Sequence, residues 1–217
     1  MQTETTQLDD ICRIRGLLVT AVAPLTEEDG FDARFQSVAL LSPDPDAFWT
    51  AFCQSPELRD GGSDPIDRWS QRTILALAEE AGGQAVFPFD GPPYRPFSSW
   101  AQRAGVAWQS PSGMLVHAMH GLWISFRAAV ALPTPVDRPT NAVSPCETCP
   151  QPCLQACPVQ AVTSDGFDYP SCRSHVRSHH GATCAASGCL ARRACPVGRD
   201  LIPPDPQLAM HMRAFAG

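Results

Sequence analysis

Through the first 135 residues the apolar positions switch between a helical and a strand-like spacing. The stretch "LDDICRIRG" reads as a first helix closed by Gly16. "LLVTAVAP", Leu17 to Pro24, predicts a strand, and "QSVALLSP", Gln36 to Pro43, a second one stopped by its proline. "DPDAFWTAF" then predicts a helix with Asp44 or Asp46 as its cap. The strongest helical pattern is "DPIDRWSQRTILALAEEAGG". Asp64 is placed to cap it, Pro65 suits its first turn, and Gly82 ends it. Ile66, Trp69, Ile74, Leu77 and Ala81 form its apolar stripe. "QAVFPF" reads as a short strand and "FSSWAQRAG" as a short helix. "GMLVHAMHGLWISFRAAVALP" reads as two strands with a bend near Gly121.

At Pro133 the pattern stops. "PTPVDRPTNAVSP" has no apolar period and reads as a linker. From Cys146 to about Arg199 the chain is dominated by cysteine and poor in large aliphatic residues. Such a segment cannot build a core from hydrophobic side chains alone, so a metal centre has to contribute folding energy. "QLAMHMRAFAG" predicts a short helix docking back on the body. The expected organisation is an α+β domain over 1–135, a linker over 136–145, a cysteine domain over 146–200 and a tail over 201–217.

Charge and composition narrow the chemistry. The chain of 217 residues has a net charge of −6, and all 16 basic residues are arginine. Without lysine there is neither a Schiff-base amine nor a P-loop lysine. An acidic chain with no basic stripe argues against nucleic acid as a partner. No apolar run approaches the ~20 residues that span a bilayer, so no membrane association is expected. The polar, acidic start "MQTETTQLDD" lacks the features of a secretory signal, which predicts a cytoplasmic protein.

Two of the 10 cysteines, Cys12 and Cys53, fall before the linker and read as small buried hydrophobes; the rest lie between Cys146 and Cys195. In a reducing compartment this density points to metal binding rather than disulfides. The first half, "CETCPQPCLQACP", is C-x2-C-x3-C-x3-C-P. It is similar to the bacterial ferredoxin run, whose fourth cysteine serves the other cluster, with one additional residue within "PQP". The second half, Cys172, Cys184, Cys189 and Cys195, is looser but also ends in Cys-Pro. Exchange of the fourth cysteine assigns Cys146, Cys149, Cys153 and Cys195 to one [4Fe–4S] cluster. Cys157, Cys172, Cys184 and Cys189 then hold the other. Two four-cysteine zinc sites would use the same residues, and a single cluster also stays open. Arg173, Arg177, Arg192 and Arg193 flank the ligands, where cations favour a reduced cluster and could guide an acidic donor protein.

In the first domain, "FPFDGPPYRPFSSWAQRAG" and "LVHAMHGLWISFR" supply aromatic and polar groups suited to a pocket for a planar cofactor. The stretches "SDPIDRWSQR", "PPYRP" and "LVHAMHGLWISFRAAVALP" resemble cblC-type cobalamin-processing proteins. The resemblance implies a nitroreductase-like antiparallel sheet with flanking helices, followed by a small ferredoxin-like module. It carries His117, Gly121, Trp123 and Arg127 over as cofactor-binding residues, with Ala118 standing where the family has proline; Tyr94, Arg95 and His120 complete the candidate pocket. The cysteine half resembles epoxyqueuosine reductases and reductive dehalogenases, which join a cobalamin-binding domain to a two-cluster ferredoxin module. These likenesses imply base-off cobalamin, with a flavin as the lesser alternative and neither histidine on cobalt. They imply an oxidoreductase fed by a ferredoxin- or flavodoxin-type donor protein and acting through a small-molecule corrinoid. The alternative is a ferredoxin-type electron carrier with no substrate of its own.

Overall fold

A computed structural model describes residues 3–135 and 142–217; residues 136–141, within the expected linker, lie outside it. The elements run, in chain order, α1 Thr3–Ile14, β1 Leu17–Pro24, β2 Ser37–Pro43, α2 Phe48–Cys53, α3 Pro56–Arg59, α4 Pro65–Glu80, β3 Gln84–Val86 and α5 Phe97–Arg103. They continue with β4 Ala107–Gln109, β5 Leu115–His117, β6 Ala128–Leu132, β7 Val162–Thr163, β8 Gly166–Phe167, α6 Tyr169–Arg177, α7 Ala182–Ser187, α8 Leu190–Arg193 and α9 Asp205–Ala216. This is a mixed α and β fold with antiparallel sheets. Among the described residues no helix is long and apolar enough to cross a membrane.

The chain forms two compact units, 1–106 with 125–141 and 107–124 with 142–217. The first is built on a four-stranded antiparallel sheet in the order β1-β2-β6-β3. Strands β2 and β6 are central, and nearly every residue in them is buried. That explains their unbroken apolar runs, since strands covered on both faces lose the alternation of a half-exposed sheet. Helix α4 packs on β3 and β6, and α5 on β1 and β2.

Helix α4 buries Ile66, Trp69, Ile74 and Leu77 on its inner face; Trp69 meets Phe48 edge to face at 5.2 Å. Ala81 instead forms the cap. The helix closes in a Schellman turn: the Gly83 N–H reaches the Ala78 carbonyl at 2.8 Å and the Gly82 N–H reaches Glu79 at 3.1 Å. Gly82 has φ +63, the conformation that this motif requires. Asp64 holds the cap position but its side chain makes no cap bond; its own backbone is left-handed, φ +48, which turns the carboxylate away from the first-turn amides. Asp44 closes the turn before α2 by accepting the N–H groups of Asp46 and Ala47, so the helix starts later, at Phe48. The first helix begins at Thr3, before the expected Leu8.

The stretch 113–133 does contain two strands, but they do not pair with each other. β5 pairs with β4, a strand absent from the sequence reading, and belongs to the second unit; β6 completes the sheet of the first. Thus the residues from Ala107 to Ile124, grouped with the N-terminal segment by sequence proximity, pack with the cysteines.

The second unit has a core of Val116, Leu122, Val162 and Ala191 around Cys153 and Cys195. Asp168 caps α6 by accepting from the Ser171 N–H at 3.0 Å and its hydroxyl at 2.6 Å. Helix α9 packs on α6 and α7, and its end is held by Arg173, which donates to the Ala216 carbonyl at 2.8 Å.

Candidate functional site

The first cysteine run is shaped by its prolines. Pro150 and Pro152 flank Gln151, whose backbone is left-handed at φ +56, and a short 3-10 turn follows at Pro152–Leu154. This turn lies at the "PQP" stretch. It also brings the Gln151 N–H to the Cys149 Sγ at 3.4 Å. A second amide, Ala161, donates to the Cys157 Sγ at 3.2 Å. The second half is looser in sequence because its thiols ride on separate helices: Cys172 on α6, Cys184 on α7, and Cys189 at the cap of α8. Gly188, at φ +80, makes the sharp turn between the last two, and an added Cβ there would press on Leu208.

Neighbouring sulfurs act on one another. Cys146 is acted on by the charges of Cys149, Cys153 and Cys195. Cys172 is acted on by those of Cys189, Cys157 and Cys184. Burial, reinforced by neighbouring sulfur charges, pushes the Cys146, Cys153 and Cys184 thiols up, and Cys172 up to about 11. Backbone N–H groups work against that rise at Cys153 and Cys184. Cys146, Cys149, Cys153 and Cys195 line one cavity, closed by Pro152, Pro196, Val116 and Leu122. Among the described residues, no three or more Cys, His, Asp or Glu side chains are grouped so as to hold a metal ion. A donor set of thiols alone, with amides aimed at sulfur, is one that could hold an iron–sulfur cluster. Cys12 is fully buried in the first unit, where burial pushes its thiol up to about 12, and Cys53 is half-buried.

The candidate pocket residues are divided between the units. His117, His120, Gly121 and Trp123 belong to the second; Tyr94, Arg95 and Arg127 belong to the first. His117 is buried, and its Nδ1 accepts the N–H groups of Met119 and His120, so the ring fastens its own turn. His120 lies 4.9 Å from it, edge to face; burial and the neighbouring ring push its pKa down to about 4. Gly121, at φ +54, sits against the Val197 carbonyl; a Cβ added there would stand 3.1 Å from the Cys195 Sγ. Trp123 lies under the Arg192 guanidinium, 4.8 Å from ring centre to Cζ. In the first unit, Arg127 is paired with Asp67 and donates to the Ser70 Oγ at 3.0 Å. Arg95 donates to the Asp29 carbonyl and covers the Phe31 ring, and Tyr94 is exposed. Sequence reasoning missed Val116 and Leu122 as walls of the cysteine cavity. Their apolar character signals a hairpin face, but nothing in the local pattern says which core that face joins.

Asp29 is the electrostatic hub of the first unit. Its carboxylate accepts from the Trp100 Nε1 at 2.7 Å, from Arg103 at 2.6 Å and from the Thr26 N–H at 2.8 Å. Burial by itself would raise its pKa, but these bonds outweigh it and hold the group down at about 2.

The described site is thus a thiol-rich unit in a chain that also carries an antiparallel α and β unit. No family model matches the chain. Part of it, 65 residues or 30% of its length, is 37% identical to an epoxyqueuosine reductase of Synechocystis sp.. The matching stretch spans 22% of that protein's length.

Proposed function

We propose that the second unit holds two [4Fe–4S] clusters and that the protein is a cytoplasmic iron–sulfur oxidoreductase handling single electrons. Cys146, Cys149, Cys153 and Cys195 would ligate one cluster, and Cys157, Cys172, Cys184 and Cys189 the other. The observation that carries this reading is the cavity lined by Cys146, Cys149, Cys153 and Cys195; that Cys157, Cys184 and Cys189 act on Cys172 supports the second set. A lone zinc draws four sulfurs to ~2.3 Å from one point; a four-iron cube is held by thiolates standing further apart. The chain's own residues supply the setting. The Gln151 and Ala161 amides donate to sulfur and so favour the more negative state. Val116, Leu122 and Val162 pack with the buried Cys153 and Cys195. Each cluster, when bound, takes up and gives back one electron.

The partial likeness to an epoxyqueuosine reductase supports reductive chemistry. Electrons would come from a ferredoxin- or flavodoxin-type protein and pass to a corrinoid. A second reading has its own support: a carrier that docks to a partner enzyme. Arg127, Arg95 and His117 are each engaged in internal bonds rather than left facing a ligand. Anaerobic reconstitution of the full chain tests the cluster reading through Cys153→Ala and Cys184→Ala. Each variant is expected to lose the signal of a different cluster and keep the other. Wild-type iron and sulfide in both variants would overturn the ligand sets. Adding cobalamin to the reduced protein separates the two functions: a changed visible spectrum supports the corrinoid reading, an unchanged one the carrier.

A further inference from the structure

Four arginines flank the cysteines, and the structure gives them different surroundings. Arg193 donates to Asp205 at 2.8 Å, which neutralises it. Arg177 is exposed and bonded to the Gly217 carbonyl, where water screens it. Arg173 binds the Ala216 carbonyl on a face shared with the exposed Tyr169 ring. Arg192 differs. It lies on α8, the single turn between Cys189 and Cys195. Its Nε donates to the Leu122 carbonyl at 2.6 Å, Nη2 reaches the Ile124 carbonyl at 3.4 Å, and the Trp123 ring lies beneath it. Among the described residues no carboxylate pairs with it.

Carbonyls and a ring face satisfy the N–H groups of a guanidinium but leave its charge uncompensated. A cation taken out of water without a counter-charge is costly. The group placed to compensate it is Cys189, which caps the same short helix three residues before Arg192, so its sulfur and the guanidinium belong to one helical turn. We propose that Arg192 is the fixed counter-ion of the cluster held by Cys157, Cys172, Cys184 and Cys189, and that it sets that cluster's reduction potential. The inference rests on the two-cluster reading. Taking up one electron makes the cluster and its four thiolates one unit more negative, so a fixed positive charge stabilises the reduced form more than the oxidised one. Leu122, Trp123 and Ile124 act as the clamp that keeps the charge in place.

The test is a dithionite redox titration of the anaerobically reconstituted full chain, followed by electron paramagnetic resonance. R192Q is expected to keep wild-type iron and sulfide while one cluster becomes at least tenfold harder to reduce, about 59 mV for one electron. The other cluster should shift less, R193Q should change neither, and R192K should restore most of the loss because it keeps the charge. Unchanged midpoints in R192Q, or equal shifts in R192Q and R192K, would overturn the proposal. If R192Q does not load iron, R192H gives a second reading: its midpoint should vary with pH for one cluster, and a pH-independent difference would overturn the idea. A wild-type chain that takes up no iron would instead defeat the cluster reading itself.

Discussion

Replacing Gly121 by alanine tests how tightly the hairpin is fitted to the cysteine unit. Two costs add. The backbone there is left-handed at φ +54, which strains an L residue by roughly 1–2 kcal/mol. The new methyl would also press on the Val197 carbonyl group, 2.9 Å from its carbon and 3.1 Å from the Cys195 Sγ. Both neighbours are parts of a packed turn, and overfilling such a site costs about 1–3 kcal/mol more. Gly113 is the matched control: it has φ +77, lies in the same unit, and has nothing within 4 Å of the place an alanine methyl would take. Gly113→Ala therefore carries only the strain. Thermal unfolding of the two variants, followed by circular dichroism on reconstituted protein, isolates the steric part. For a unit of this size each kcal/mol shifts the midpoint by roughly 4–8 °C. Gly121→Ala should melt at least ~4 °C below Gly113→Ala and lose iron sooner on heating. Equal midpoints would refute the close fit of the hairpin to Cys195 and Val197.

Two further outcomes concern the first unit. Because the Asp29 pKa is held at about 2, below its unfolded value, the stability it contributes is complete above roughly pH 4 and disappears as pH falls through 2. The contribution is on the order of 2 kcal/mol, and urea unfolding from pH 2 to 6 should show it in the wild type and not in Asp29→Asn. Arg127→Met should destabilise the first unit by about 2 kcal/mol, because it leaves Asp67 and Ser70 without their charged donor. Unchanged urea midpoints would show that the Arg127 contacts are not structural.

Local chemistry makes most individual elements readable. The apolar runs of β1 and β2 and the stripe of α4 report burial directly, and Gly82 marks the end of its helix because the Schellman turn needs a left-handed residue. What local sequence does not contain is the assignment of a segment to a core. His117, Gly121 and Trp123 look continuous with Arg127 along the chain, yet the first three pack with the cysteines while Arg127 joins the sheet unit. The bend near Gly121 is visible in the sequence; its cause, a close approach to the distant Val197, is not. In the same way the spacing of the cysteines divides them into two sets, but only folded geometry distinguishes Arg192 from its neighbour Arg193.

In the proposed function, thiols rather than hydrophobic side chains alone organise the second unit around iron and sulfide. Metal and acid-labile sulfide analysis of the full chain, purified without oxygen, tests it most directly. Two cubes predict about eight iron atoms and about eight sulfides per chain. Stoichiometric zinc without sulfide, or a chain that takes up neither iron nor sulfide after reconstitution, would rule out the two clusters.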